Sequence, residues 1–423
     1  MANVALAMLW GFAVTFVFVR ALPGMEFQAF LLLIAFNNFT QSSEFGLTNV
    51  IYARLRKYWL GRAADNGVDG GTSDFRYEEI GALFLFLGSL IIMGAAIVAL
   101  AIAVGWIRTE LPAIFLIFFL SSVLNMLLLL VKRSLAALDY NMVWEIIDCA
   151  RRMAGLGILV SVLFGLDLML SVSLQLLLNG GAVLAGMILV QRRSGMHVSH
   201  WFALRTGGGH IRRTYLRDIG ASAALTMSEM AAYNGPYFMI AALSHDLSLM
   251  LLFDFVFKII RSVAITIRAT IEGALPRLTR FWFSGDKASF RAALKKALMV
   301  GIGVAVCADI SLLIVGKRLF SILFDGRSQL STWEMLLLCV LLLMLSVICV
   351  SVYLQGSLGR FWLMLRQSLP FLAGSLLSVP LALLMAGNSQ PGEVGLDFMI
   401  AYTLAFFVAA MLHLRAIGQL VKG

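Results

Sequence analysis

The chain has 423 residues, of which 61% are hydrophobic and 13% are charged, and its mean hydropathy is +0.91. Soluble proteins carry about twice that share of charged residues, so this composition excludes an ordinary water-soluble domain and predicts an integral membrane protein. The net charge is +10, but its distribution, described below, indicates cytoplasmic loops rather than a nucleic-acid-binding surface. The four cysteines include no CxxC pair, so we expect free thiols, no disulfide framework and no metal or other cofactor.

Hydrophobic runs of about 20 residues, the length that crosses a bilayer as a helix, recur along the whole chain. They predict an all-α integral membrane protein with about twelve transmembrane helices. The predicted helices are 3–22, 28–51, 80–105, 112–131, 153–170, 171–190, 219–243, 247–268, 297–315, 334–354, 367–386 and 396–414. Two pairs are closely spaced, and their turns are predicted at Gly165 with Asp167 and at His245 with Asp246.

Lys and Arg are distributed unevenly along these segments. If the N-terminus is inside, five linkers and the C-terminal tail hold 26 of the 33 Lys and Arg residues, and the opposite side holds five. Both termini are therefore expected on the cytoplasmic side of the inner membrane, where membrane lipids with anionic headgroups lie near these loops. The first run lacks a preceding Lys or Arg, so we interpret it as a transmembrane helix rather than a cleaved signal peptide.

The second and seventh predicted helices each have a polar face. In the second, Asn37, Gln41 and Glu44 are spaced by four and three residues, which favours a cavity wall, with hydrogen bonds between helices as the alternative. In the seventh, Glu229 lies near the middle. A lone carboxylate there could carry a proton, whereas a neutral or paired structural acid is the alternative.

Charged residues form a stripe inside the eighth predicted helix. Asp254, Lys258, Arg261, Arg268 and Glu272 are spaced so that all five fall within roughly 40° of one line along a helix. Charges within a bilayer cost at least about 2.5–3.5 kcal/mol each on insertion scales, and they normally face a protein interior or a water-filled cavity. Three cations against two acids favour an anionic ligand. A structural ladder of ion pairs is the alternative.

A short basic and aromatic motif occurs twice. Arg54–Trp59 (RLRKYW) follows the second predicted helix, and Arg277–Trp282 (RLTRFW) follows the eighth, 223 residues later. Such segments are common beside membranes, so coincidence is the alternative interpretation. Because the offset is about half of the chain, we predict two pseudo-symmetric six-helix lobes around a central cavity, 1–205 with a cytoplasmic linker and 206–423.

The segments that contain this motif resemble a known family. The stretch 42–67 (SSEFGLTNVIYARLRKYWLGRAADNG) is similar to the second-helix region of polysaccharide flippases, where a Gly-Leu pair precedes a basic helix end. The stretch 272–298 (EGALPRLTRFWFSGDKASFRAALKKAL), with GKRLFSILFDG at 316–326, resembles the matching region of their second half. The resemblance is to the multidrug/oligosaccharidyl-lipid/polysaccharide (MOP) flippase superfamily, and best to its Wzx-type polysaccharide or O-antigen branch.

The resemblance implies a MATE/MOP-like, V-shaped bundle whose central cavity is lined by the first, second, seventh and eighth helices. It also implies that a polyprenyl-pyrophosphate-linked oligosaccharide crosses the membrane by alternating access, with the cations of the eighth helix holding the pyrophosphate. The residues expected to bind this substrate are Lys258, Arg261, Arg268, Asn37, Gln41, Glu44, Tyr233 and Asn234. Glu229 and Asp254 are expected to couple transport to an ion, and Asp254 is placed to pair with Lys258.

Two other functions remain open. A MATE-type multidrug or cation antiporter would need acids and aromatic residues in its cavity, whereas the eighth helix offers cations at mid-depth. A polysaccharide-assembly enzyme or scaffold would be expected to have large external loops, and the predicted ones are short. We see no nucleophile and base arrangement, so we do not expect an enzyme. The expected protein partners are glycosyltransferases and a polymerase of the same pathway.

Overall fold

The computed structural model describes residues 2–42, 44, 47–64, 75–244, 246–272, 274–284, 286–358, 360–387 and 393–422. In these ranges the chain forms helices and turns and no strand. The helices are α1 (Ala2–Ala21), α2 (Gly24–Ser42), α3 (Leu47–Ala64), α4 (Glu78–Ala103), α5 (Pro112–Val123), α6 (Asn125–Ala137), α7 (Asn141–Ser161), α8 (Leu168–Ser194), α9 (Leu204–Leu243), α10 (Leu247–Glu272), α11 (Leu275–Phe283), α12 (Lys287–Leu323), α13 (Thr332–Ser357), α14 (Phe361–Ala386) and α15 (Glu393–Lys422). Two short 3₁₀ turns lie at Val162–Phe164 and Val198–Phe202.

Seven helical segments of the described chain are long and apolar enough to cross a membrane. They are Glu78–Ala103, Pro112–Ala137, Leu168–Ser194, Lys287–Leu323, Thr332–Gly356, Trp362–Ala386 and Val394–Leu420. This confirms the prediction of an all-α membrane protein. Five of the twelve predicted helices, the first, second, fifth, seventh and eighth, are not among these seven. The eighth is missing because α10 carries Asp254, Lys258 and Arg261 within eight residues.

Several predicted boundaries were wrong. The predicted helix 28–51 ends at Ser42, and a separate helix, α3, begins at Leu47. The predicted helix 153–170 begins earlier, at Asn141, and ends at Ser161. The turn after it was placed correctly, since Gly165 adopts φ +100°, and the Asp167 carboxylate accepts a hydrogen bond from the Leu170 amide (3.0 Å), which caps the start of α8.

One compact unit of the structure comprises residues 1–227. In it α5 packs on α8, α1 on α7, α3 on α6 and α7 on α8. Phe18 and Phe30 stack with ring centroids 4.0 Å apart, and Phe118 lies against both rings. At Gly186, an added Cβ would lie 2.3 Å from a Val131 methyl group, so a glycine allows α8 to approach α6 closely.

The other compact unit comprises residues 228–423. Here α15 packs against α14 and α13, α13 packs on α12, and α10 packs on α13. The rings of Phe253, Phe398, Tyr402 and Phe406 form a chain of contacts with centroids 5.2–5.8 Å apart. These aromatic contacts join α10 to α15, and they surround the polar part of α10 with apolar groups.

The two copies of the repeated motif occupy equivalent places in the chain. Arg54–Trp59 lies in α3, after α2, and Arg277–Trp282 lies in the short helix α11, after α10. Both copies are therefore helical. The boundary between the two units falls inside α9, at Met227 and Ser228, whereas the division into six-helix lobes at residue 205 stays a prediction.

Candidate functional site

The charged stripe of α10 is built around a buried carboxylate. Asp254 is 0% exposed, and its Oδ2 forms an ion pair with the Lys258 ammonium one turn further along the helix. The Tyr237 hydroxyl donates a hydrogen bond to Oδ1 of Asp254 at 2.7 Å. Both carboxylate oxygens thus have a partner, as a buried charge requires.

Tyr237 fixes this arrangement through its ring. Its centroid lies 4.6 Å from that of Phe253 and 5.9 Å from that of Phe257, both in edge-to-face geometry. Tyr237 is on α9, and the two phenylalanines are on α10, so the hydroxyl is held against Asp254 by packing. Sequence analysis did not select Tyr237, because nothing in its spacing marks it as a partner of Asp254.

The cations along α10 differ in their exposure. The Lys258 side chain is 10% exposed and paired, whereas Arg261 and Arg268 are exposed. The Arg268 guanidinium lies 5.6 Å from the centroid of the Tyr353 ring on α13, within reach of a cation–π interaction. The Glu272 side chain lies outside the described part of the structure. Arg261, three residues beyond Lys258, is therefore an exposed cation. Lys258, in contrast, is mostly buried, and Asp254 neutralises its charge.

The three candidate residues on α9 have different surroundings. Glu229 is partly buried, and none of the residues that the structure describes forms an ion pair with it. The Tyr233 ring packs against Phe371 with centroids 5.5 Å apart. Asn234 is 1% exposed, and its amide donates to the Met230 carbonyl of its own helix at 3.0 Å. Of the three, Asn234 is the one that a ligand reaches only if the helix rearranges.

A proline beside these residues explains one contact that sequence analysis missed. Pro236 lies inside α9 and has no backbone N–H, so the Ala232 carbonyl loses its usual intrahelical donor. The Ser375 hydroxyl of α14 donates to that carbonyl instead. An added Cβ on the neighbouring Gly235 would lie 2.4 Å from the Leu376 side chain, so a glycine there lets α14 approach closely enough for this hydrogen bond.

The polar face of α2 is used for hydrogen bonds within the first unit. The Gln41 amide donates to the Asn37 side chain and to the Ser122 carbonyl of α5, both at 3.1 Å. Asn37 is buried. The Glu44 carboxylate accepts from the Thr48 amide (3.2 Å) at the start of α3. For Gln41 the geometry matches the alternative interpretation, a hydrogen bond between helices, and Glu44 stabilises a helix start.

Among the described residues, no three His, Cys, Asp or Glu side chains cluster so that they could hold a metal ion. The candidate site residues carry charged and amide side chains. On α10 that means exposed guanidinium groups, which bind phosphate oxygens with two parallel hydrogen bonds.

The fold is similar to that of several solved membrane transporters. The inward-facing structure of a multidrug resistance MATE family transporter of the MOP superfamily matches with a TM-score of 0.69 and 10% identity, over 98% of this chain and 96% of that one. An outward-facing structure of such a transporter matches with a TM-score of 0.59 and 12% identity, over 100% and 94%. The eukaryotic MATE transporter AtDTX14 matches with a TM-score of 0.63 and 15% identity, over 99% and 93%. This confirms the MATE/MOP-like fold of about twelve helices.

No protein-family model and no curated protein sequence matches the chain. The structural likeness, at such low identity, therefore establishes the architecture alone.

Proposed function

We propose that the chain is a multi-pass transporter of the inner membrane that flips a polyprenyl-pyrophosphate-linked oligosaccharide by alternating access, for polysaccharide export. The transporter class is supported by the MATE fold, which is known in inward- and outward-facing conformations. The substrate class rests on a different observation, namely the charge and exposure of residues on α10.

That observation is the exposed Arg261 beside the Asp254–Lys258 pair. Lys258 already neutralises Asp254, and Arg261 and Arg268 outnumber Glu272, the other acid of the stripe, so this face of α10 has an excess of one positive charge. A pyrophosphate brings a strongly negative group, and its charge-assisted hydrogen bonds to arginine are worth about 1.5–3 kcal/mol each. An organic cation gains nothing from this surface.

The ion pair gives the site a way to respond to substrate. A pyrophosphate bound by Arg261 competes with Asp254 for the Lys258 ammonium, which lies one turn away on the same helix. If Lys258 turns to the substrate, Asp254 keeps its hydrogen bond from Tyr237 but loses its counter-ion. Uptake of a cation or a proton by Asp254 would then be favoured, which links substrate binding to an ion.

The remaining candidate residues have supporting roles in this proposal. Asn37 and Gln41 on α2 and Glu44 just after it, in the first unit, carry amides and a carboxylate, and Tyr233 and Asn234 on α9, in the second unit, carry a hydroxyl and an amide. Such groups can bind sugar hydroxyl groups. The polyprenyl tail stays in the lipid. The cytoplasmic location of both termini and the pathway partners, glycosyltransferases and a polymerase, belong to the same proposal.

A MATE-type cation antiporter is the second candidate. It is favoured by the fold of the solved multidrug transporters and by Glu229, a carboxylate inside α9 to which the described residues offer no ion pair. Glu229→Gln imitates the protonated acid. If Glu229 couples transport to protons, this variant binds substrate but loses its sensitivity to a protonophore. Sensitivity equal to that of the parent would exclude Glu229 as the coupling residue.

A binding experiment separates the two candidates. We expect polyprenyl pyrophosphate to raise the unfolding temperature of the purified protein in detergent, and an organic cation such as a rhodamine dye to leave it unchanged. Arg261→Ala should weaken the lipid effect about 10- to 100-fold, as loss of one charge-assisted contact predicts. Arg366→Ala, which removes an exposed arginine of α14, is the matched control. Saturable binding of the dye with no response to the lipid would favour the antiporter.

A further inference from the structure

The first unit contains a small polar cavity, and none of its lining residues belongs to α10. Its volume is about 50 Å³, and its walls come from α1, α7, α8 and the junction of α5 and α6. Trp10, Asn125, Arg151, Arg152, Gln175 and Asn179 are among the residues that line it. Sequence analysis selected none of these residues, because they lie on different helices.

The charges around the cavity do not cancel. Asp148 accepts hydrogen bonds from Arg151 on Oδ1, at 3.0 Å from Nε and 2.6 Å from Nη2, and from Arg152 Nε on Oδ2, at 2.9 Å. One acid thus serves two guanidinium groups. The next acid on α7, Glu145, is paired with Lys132 at 2.7 Å and offsets neither arginine. The cluster of Asp148, Arg151 and Arg152 therefore carries a net charge of about +1.

The polar groups around the cavity include an unmet donor. Gln175 lines the cavity and is 3% exposed, and its amide nitrogen donates to none of the described residues. Asn179 is held in place, because it donates to the carbonyl (2.9 Å) and the hydroxyl (3.0 Å) of Ser121 and accepts from Arg151 at 2.5 Å. A buried amide without an acceptor is costly, and a ligand with lone pairs would supply what Gln175 lacks.

The size of the cavity limits what can enter. One water molecule has a share of about 30 Å³ in the liquid, so the space takes one or two groups of that size. A halide ion or a carboxylate group fits in this space. Net positive charge, an unmet donor and small volume together select a small monovalent anion.

We propose that this cavity is a binding site for a small monovalent anion, chloride or a carboxylate group, held by Gln175 and the guanidinium groups of Arg151 and Arg152. The anion would neutralise the excess charge of the cluster and so hold α7 and α8 together. The site is independent of the transported substrate, so failure of the flippase proposal would not affect it.

The first test measures the stability of the purified full-length protein. Chloride replaces isethionate, an organic anion too large for the cavity, at constant ionic strength. We expect the unfolding temperature to rise with a saturable dependence on chloride, by roughly 1–2 °C at about five times the dissociation constant. Formate should act like chloride and compete with it if a carboxylate is the physiological ligand. Sulfate should not replace either ion. An unfolding temperature that depends on neither chloride nor formate would overturn the proposal.

Substitutions at Gln175 provide the matched controls. Gln175→Glu places a carboxylate at the cavity, so it should remove the chloride dependence and keep the stability near that of the chloride-bound parent. Gln175→Leu should also remove the chloride dependence, but its unfolding temperature should be lower than that of the chloride-bound parent. Arg192→Gln, which removes an exposed cation near the end of α8, should respond to chloride as the parent does. If all three respond alike, the site is not at Gln175.

A crystallographic measurement does not depend on the variants folding. Crystals of the parent protein soaked in bromide should show anomalous density in the cavity, within hydrogen-bond distance of Arg151, Arg152 or Gln175. Density for water alone, with no anomalous signal, would show that the cavity is hydrated and contradict the proposal.

Discussion

At the scale of single residues, the site on α10 depends on how Asp254 is compensated. Its two oxygens have one partner each, the Tyr237 hydroxyl and the Lys258 ammonium. Removal of one partner from a buried charge costs far more than the net value of the interaction, because the other charge remains buried. Substitution of either partner alone should therefore lower the free energy of unfolding.

Tyr237→Phe tests the first partner. The ring contacts with Phe253 and Phe257 remain, but Asp254 loses its hydrogen bond, so we expect a loss of about 1–3 kcal/mol in the free energy of unfolding. Tyr233→Phe is the control, because Tyr233 contributes a ring contact with Phe371 and its hydroxyl has no partner in the described structure. Equal effects of the two substitutions in a denaturation experiment would show that the Tyr237 hydroxyl does not stabilise Asp254.

Sequence patterns predicted which of these residues share a helical face, but they did not predict which residues of other helices contact them. The spacing of Asp254, Lys258 and Arg261 predicted one helical face, and the structure has the Asp254–Lys258 pair on it. Tyr237 was missed, because a contact between α9 and α10 depends on tertiary packing. The assigned roles of these side chains in binding or coupling remain predictions.

At the scale of helices, α9 shows how a proline is accommodated in a membrane protein. Pro236 leaves the Ala232 carbonyl without its intrahelical donor, and Ser375 of α14 supplies one. In a bilayer such a replacement is needed, because no water is present to make the hydrogen bond. The hydrogen bond therefore ties the position of α14 to the proline in α9.

A double-mutant cycle tests this dependence. Ser375→Ala leaves a buried carbonyl unpaired and should destabilise the protein by about 1–3 kcal/mol. In a Pro236→Ala background, the restored backbone N–H bonds to Ala232, so the same substitution should cost clearly less. The measurement is the midpoint of denaturation for the four proteins. Equal costs of Ser375→Ala in both backgrounds would refute the link to the proline.

Helix positions were mostly predictable, and the exceptions have physical causes. The turn at Gly165 and Asp167 was predicted from residues that favour a left-handed conformation and a helix start. The interruption between α5 and α6 at Leu124 was not, because no proline or glycine lies near Leu124. It is stabilised by side chains instead, since Asn125 donates to the Ser122 carbonyl and Gln41 reaches the same oxygen from α2.

At the scale of the whole molecule, the fold class was predicted from hydrophobicity and the membrane orientation from the distribution of charge. Hydropathy predicted an all-α membrane protein, and the similarity to MATE structures confirms an architecture of about twelve helices. The orientation of the chain in the membrane rests on the distribution of Lys and Arg alone. It remains a prediction, because helix packing is the same whichever side faces the cytoplasm.

Cysteine labelling tests that orientation. In a background without the four native cysteines, Ser199→Cys lies in the predicted cytoplasmic linker and Ser328→Cys in a predicted external loop. Ser199 is exposed and Ser328 is partly exposed, so both sites should react in the unfolded or solubilised protein. A membrane-impermeant maleimide added to intact cells should modify Ser328→Cys and not Ser199→Cys. Labelling with the opposite preference would invert the topology.

The most direct test of the transport proposal is a flipping measurement in proteoliposomes. A fluorescent polyprenyl-pyrophosphate oligosaccharide is placed in one leaflet, and its appearance in the other is followed by quenching with an impermeant reductant. We expect the parent protein to accelerate flipping, Arg261→Ala to abolish it, Arg261→Lys to retain part of it, and Arg366→Ala to match the parent. Flipping by Arg261→Ala at the parent rate, with equal amounts of inserted protein, would contradict the assignment of Arg261 as the cation that holds the pyrophosphate.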